Sequence, residues 1–216
     1  MPLYVQYGCG WCAPAEWRNF DASPTLRWER LPILGKLYTK NAARFPSNVE
    51  YGNVVKGLPI GDGSADGVYC SHVLEHLPRD AVGIALANSL RILRPNGVFR
   101  LVVPDLHWRV EKYLQKLASH EETPSDWLFD ALNMGQRQSV SSMAGAAKKI
   151  FGHSEHLWMY DLATMSKLLQ SVGFVEIREC DFNDSTDAMF NLVEDRERFF
   201  SEDHKEVCLE AHRPNN

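Results

Sequence analysis

A short apolar run, Leu3-Tyr4-Val5, passes through Gln6-Tyr7 into Gly8-Cys9-Gly10, and a second β-prone run, Trp17-Arg18-Asn19-Phe20, ends on Asp21. This opening constrains the fold more than any other stretch. In a doubly wound α/β sheet the first strand must turn tightly, with its backbone brought close to a ligand. Glycine permits both because it lacks Cβ and tolerates positive φ. A carboxylate at the tip of the following strand can accept both hydroxyls of a ribose. The segment therefore has the form of half a nucleoside-binding site. The interval Ala13–Arg18 is too short for a full crossover helix, so the first crossover is expected to be stunted.

The rest of the chain supports alternating strands and helices. Pro24 suits the start of a segment running to Phe45, helical in its second half, and Val49–Val55 is expected as a third strand. The turn Gly61–Ser64 leads into a fourth strand, Ala65–Ser71. Val82, Leu86, Leu90 and Leu93 then mark one face of a helix, which Pro95-Asn96-Gly97 should stop. Val98–Val103 has the near-continuous apolar character of a buried central strand. Thr123-Pro124-Ser125-Asp126 is a helix start, and Asp161 and Gly173 bracket another helix whose Leu162, Met165, Leu169 and Val172 face the core. Two final strands follow, Val175–Cys180 and Val207–Ala211.

Length and charge restrict the function classes. A chain of 216 residues fits one domain, 1–216, and the irregular stretch 105–160 is expected as a helical insertion or lid on the acceptor side. The net charge of −5, with no long basic run, argues against a nucleic-acid partner. No apolar run approaches the roughly 18–20 residues of a membrane span, and no signal peptide is expected. Five cysteines do not suggest a disulfide framework. A cytoplasmic location follows as the expectation. Cys9-x-x-Cys12 has the sequence form of a thioredoxin-like redox site, but the following segment is too short for the long helix such a site needs, and a zinc ribbon would need a second pair.

Further blocks fall in order after the glycine turn and Asp21. These are Leu58-Pro59, then Ala65-Asp66-Gly67-Val68-Tyr69-Cys70-Ser71-His72-Val73-Leu74-Glu75-His76-Leu77, then Arg91-Ile92-Leu93-Arg94-Pro95-Asn96-Gly97, and a β-run ending Pro104-Asp105. With these motifs the chain resembles the class I S-adenosylmethionine-dependent methyltransferases of the type 11 group. His156-x-x-x-Tyr160, Gly173-Phe174 and the closing Val207–Ala211 are similar to a branch associated with polysaccharide and cell-envelope biosynthesis. The resemblance implies a Rossmann-like α/β fold: a seven-stranded sheet, mostly parallel with the last strand antiparallel, and helices on both faces. It implies S-adenosylmethionine as cofactor, S-adenosylhomocysteine as product, and a small-molecule or saccharide acceptor.

On that resemblance, Gln6, Gly8, Cys9 and Gly10 would meet the methionine portion, and Asp21 the ribose. Asn53, Val54 and Val55 would line the adenine, while Ser71 and His72 would lie beneath the methionine and its methyl group. This sequence departs from the family pattern at three places. Gln6 stands where an acidic residue is usual, Cys12 replaces the third glycine, and Asn53 replaces a commoner Asp.

An in-line methyl transfer needs alignment first, and a base only where the acceptor loses a proton. His72, Asp105 and His156 are the candidates, and the expected reaction is O-methylation. Glu75-His76 is either a catalytic pair or a structural start to the next helix, and Asp105 either a substrate contact or a helix cap. His153 and His156 have no evident third ligand, so no metal site is expected. Trp108, Tyr113, Trp127 and Trp158 could stack on an acceptor ring. The alternatives are a cofactor-binding module without turnover, motivated by Gln6, Cys12 and Asn53, or an interaction domain on the same sheet.

Overall fold

The computed structural model describes residues 1–32, 43–135 and 155–215. Seven strands form one sheet in the order β3-β2-β1-β4-β5-β9-β6, where β1 is Tyr4–Tyr7, β2 Trp17–Asp21, β3 Val49–Tyr51, β4 Ala65–Ser71, β5 Leu93–Val103, β6 Val175–Glu179 and β9 Val207–His212. Strands β1 to β5 pair in parallel, and β9 runs antiparallel between β5 and β6. A small hairpin, β7 (Phe200–Ser201) and β8 (His204–Lys205), lies within the polar stretch before β9.

Period-2 alternation assigns the strand side chains to two cores. Val5, Tyr7, Val68, Cys70, Phe99, Leu101, Leu209 and Ala211 face the long helices α2 (Arg79–Ile92) and α5 (Leu162–Val172). Tyr4, Trp17, Tyr69, Val102 and Cys208 face the other way and are covered by Phe190, Val193 and Phe199. That cover comes from a 3-10 turn, Ala188–Leu192, and the short helix α6, Arg196–Phe199.

Local chemistry explains most boundaries. Asp161 accepts a hydrogen bond from the Thr164 N–H at 2.7 Å, and Gly173 at φ 111° ends α5 as expected. Helix α1 is Pro24–Glu29, with proline in its first turn. The helix anticipated toward Phe45 falls on residues 33–42, outside the described residues. The third strand is shorter than expected. Asn53 Oδ1 accepts from the N–H groups of Val55 and Lys56, and this cap turns Val54–Lys56 into a 3-10 turn. No helix occupies the crossover from β1 to β2, which is built of turns. Strand β5 begins at Leu93, directly after α2, and Pro95-Asn96-Gly97 forms an irregularity inside the strand; the pairing jumps from Ala65–Leu93 to Gly67–Val98.

One residue contradicts the apolar reading of β5. Arg100 is 1% exposed on the shorter-helix face, held by Glu194 at 2.6 Å, Glu210 at 2.6 Å and Asp184 at 3.0 Å. Burial pushes Glu194 up despite Arg100, whereas the two arginines Arg100 and Arg178 hold Glu210 down against its own burial. Among the described residues no helix is long and apolar enough to cross a membrane.

Candidate functional site

The carboxyl ends of β1, β2, β3 and β4 meet where the strand order reverses between β1 and β4, the place at which open α/β sheets bind ligands. The glycine turn sits there, with Gly8 at φ 67° and Gly10 at φ 55°. A Cβ on Gly8 would lie 2.1 Å from Val73 Cγ2, while one on Gly10 would meet nothing within 4 Å. Gly8 is thus required by close packing against the β4 exit, and Gly10 opens onto free space. The residue replacing the family's third glycine, Cys12, is absent from the residues with positive φ, so its backbone does not demand glycine.

Asp21, at the tip of β2, is buried and organises the turn. One oxygen accepts from the Gly10 N–H at 3.1 Å and the other from the Ser23 N–H at 2.7 Å. A carboxylate has about four acceptor positions, so both oxygens retain capacity for a diol.

Two of the expected cofactor contacts also serve the protein's own backbone. Gln6 is buried, and its amide nitrogen donates to the Cys12 carbonyl at 2.7 Å and to Asn19 Oδ1 at 2.6 Å. It fixes the glycine-turn loop from below. Asn53 uses its carbonyl oxygen to cap the turn after β3, leaving its amide NH2 and the backbone of Val54 and Val55 for a purine edge. The Cys9 thiol is buried, and burial pushes it up to about 12; the Cys12 thiol is raised for the same reason. A thioredoxin-like site requires the opposite shift.

Beyond β4 the chain enters a second, more charged region. Ser71 is buried, and its carbonyl accepts from Arg198 at 2.9 Å. His72 adopts φ 53°, uncommon for a residue with a side chain, and its Nε2 pairs with the Arg198 carbonyl at 2.8 Å. Its Nδ1 lies 3.3 Å from Glu75 Oε1. Burial alone would lower His72, but the Glu75 carboxylate outweighs it and the net shift is upward.

Glu75, in the 3-10 turn Leu74–His76, is fully buried, yet among the described residues neither carboxylate oxygen receives a well-formed hydrogen bond. His76 Nε2 and His156 Nε2 stand 3.9 and 4.0 Å from its Oε1. The Glu75 carbonyl accepts from the N–H groups of Leu157 and Trp158 at 2.7 and 3.1 Å, which docks the 155–160 segment onto this turn. Burial lowers His156, and it pushes the Tyr160 phenol up to about 12.

Of the three catalytic candidates, His72 and His156 both face Glu75 Oε1, whereas Asp105 is engaged elsewhere. Asp105 caps helix α3 (Leu106–Ala118) through the His107 N–H at 2.9 Å, and its second oxygen pairs with His204 Nε2 at 2.9 Å. Both ring nitrogens of His72 face protein groups. His156 is brought to Glu75 and His76 across some eighty residues of sequence, a meeting no local spacing could announce. His153 lies outside the described residues. Of the aromatic candidates, Trp108 stacks on His204 and meets Trp127 edge-on, while Trp158 is exposed. Arg198 carried no sequence signal; only the fold places it against Ser71.

Comparisons with known proteins agree with this geometry. Residues 6–101 match the family model described as a methyltransferase domain. No curated protein matches the sequence. Among solved structures, the fold is similar to a possible histamine N-methyltransferase, a SAM-dependent methyltransferase from Thermotoga maritima, at 14% identity, covering 99% of this chain and 83% of that one with a TM-score of 0.51. It is likewise similar to a SAM-dependent methyltransferase from Methanosarcina mazei, at 14% identity, 99% and 92% coverage and a TM-score of 0.50. These likenesses show the fold.

The residues present fit S-adenosylmethionine. Open space over Gly10 lies beside a buried carboxylate with acceptor capacity for a ribose.

Proposed function

We propose that this S-adenosylmethionine-dependent methyltransferase methylates a hydroxyl of a small-molecule or glycan acceptor. The reading is carried by the convergence of Gly8–Gly10, Asp21, Asn53 and Ser71 at the reversal point of the sheet. When bound, S-adenosylmethionine supplies an electrophilic methyl group. The chain's own task is alignment and exclusion of water. Asp21 holds the ribose hydroxyls through its remaining lone pairs. The 8–10 backbone holds the methionine portion, and Val54 and Val55 flank the adenine.

The acceptor approaches from the side of residues 105–135 and 155–160, where exposed Trp158 offers a ring face. A hydroxyl acceptor gives up its proton as the new C–O bond forms, to a base beside the acceptor or to solvent water. His72 positions Glu75, and Asp105 acts as a helix cap. The glycan preference rests on the resemblance to the polysaccharide-associated branch, and five free cysteines suit a reducing cytoplasm.

Gln6 favours a second reading, a cofactor-binding module without turnover, because its neutral buried amide supplies no charge for the cofactor's ammonium group. Calorimetric titration with S-adenosylmethionine and S-adenosylhomocysteine tests both. The wild type binds, and Asp21→Asn weakens binding by about 1–3 kcal/mol, the scale of hydrogen bonds to a charged group. Release of S-adenosylhomocysteine across a panel of hydroxylated acceptors, sugars first, then separates enzyme from module. A wild type that binds neither compound ends both readings.

A further inference from the structure

We infer that Glu75, His76 and His156 form a binding site for one divalent transition-metal cation of the zinc type. Their ligand atoms all lie within 4.8 Å of one another. Three protein ligands at zinc-like bond lengths of about 2.0–2.2 Å would sit roughly 3.4 Å apart. The observed 3.9 and 4.0 Å separations from Glu75 to the two imidazoles need a contraction of about half an ångström, within reach of side-chain rotation.

The carboxylate is the independent evidence. A buried anion is stable only when paired or hydrogen-bonded. Glu75 is fully buried, and among the described residues neither oxygen accepts a well-formed hydrogen bond, the nearest nitrogen being His72 Nδ1 at 3.3 Å from Oε1. A cation between it and the two imidazoles satisfies the anion and draws the three groups together.

The ligand chemistry selects the metal class. Two imidazoles and one carboxylate suit zinc, cobalt or nickel, whereas magnesium and calcium prefer oxygen-only sets. A metal-bound imidazole is commonly oriented by a hydrogen bond from its other nitrogen. His76 has that bond: its Nδ1 lies 3.1 Å from the Glu155 carbonyl, which leaves Nε2, the nitrogen nearer Glu75, as the ligand. The imidazole rings stand 5.0 Å apart and inclined at 68°, so their lone pairs can converge without stacking. His76 is part-exposed, which provides an entry path.

Three ligands leave a fourth position for water. The cation would also clip the turn holding Glu75 to the 155–160 segment, adding a metal link to the two backbone hydrogen bonds already there. The inference rests on these side chains and stands whether or not the acceptor is a hydroxyl.

The test uses the full chain, freed of metal by chelation and titrated with Zn²⁺ by calorimetry and with Co²⁺ by visible absorption. One equivalent of each binds, and Co²⁺ gives the intense bands of a four-coordinate site. His76→Ala and His156→Ala each weaken Zn²⁺ binding by more than the roughly 10–100-fold that losing an outer partner costs. Glu75→Gln keeps the side-chain shape and also loses the site. His107→Ala, an exposed histidine beside Glu111, leaves affinity unchanged. S-adenosylhomocysteine binding by His76→Ala stays at the wild-type level, which separates failure of this site from failure of the cofactor site. Absence of stoichiometric binding, or affinity indifferent to His76→Ala and His156→Ala, overturns the inference.

Discussion

Gly8→Ala is the sharpest test of how the glycine turn is built. Gly8 sits at φ 67°, and its absent Cβ would fall 2.1 Å from Val73 Cγ2, where carbon atoms ordinarily stand about 3.5–4.0 Å apart. Two costs add. The left-handed backbone costs an L-residue about 1–2 kcal/mol, and forcing a methyl into an occupied site costs about 1–3 kcal/mol more. Val73 yields poorly because its β-branched side chain is stiff at χ1. The total is about 2–5 kcal/mol. Gly10→Ala supplies the control: at φ 55° with nothing within 4 Å of its Cβ, it carries only the backbone cost of about 1–2 kcal/mol. Urea denaturation of the two single variants, Val73→Ala and Gly8→Ala/Val73→Ala completes a double-mutant cycle. The double variant recovers the overlap, giving a favourable coupling of about 1–3 kcal/mol, within the range seen for residues in contact. Equal destabilisation by Gly8→Ala and Gly10→Ala, or a cycle with no coupling, would refute the packing account of the loop.

Three further outcomes are expected. Arg100→Met leaves Glu194 buried without its cation and Glu210 with Arg178 alone, so stability falls by about 3–5 kcal/mol in urea titrations; adding Glu194→Gln recovers much of it. Asp184 is held down at about 2: burial raises it, but hydrogen bonds from Arg178, the Asp181 backbone and Arg100 prevail. Because its folded value lies below the ordinary 3.8, its contribution is present above about pH 4 and disappears as pH falls toward about 2. The difference in urea midpoint between wild type and Asp184→Asn is therefore constant from pH 5 to 7 and closes across that lower window. Finally, Cys9 in the native protein reacts with iodoacetamide at pH 8 far more slowly than free cysteine, since burial keeps it protonated; labelling as fast as free thiol would reopen the redox reading.

Much of the N-terminal half of the fold was legible because it is written locally. A β-prone run, two glycines and an acid at the next strand tip follow one another within some twenty residues, and each has a backbone or hydrogen-bonding reason for its place. The α5 helix was equally legible, since Asp161 and Gly173 cap it through contacts a few residues away. Where a polar side chain competed with the strand pattern, the pattern misled: Asn53 bonds the following backbone and ends β3 early.

Tertiary structure decided what local sequence could not. Arg100 looks like a flaw in an apolar strand until Glu194, Glu210 and Asp184 arrive from distant segments to neutralise it. The neighbours of Asp105 and His72 are likewise set by the fold, which brings His204 and the His107 N–H to the first and Arg198 and Glu75 to the second. His156 meets Glu75 and His76 only in the fold. The reason is range: backbone turns and caps are settled within a few residues, whereas the protonation, pairing and ligand capacity of a buried side chain depend on which distant groups the sheet brings within about 4 Å.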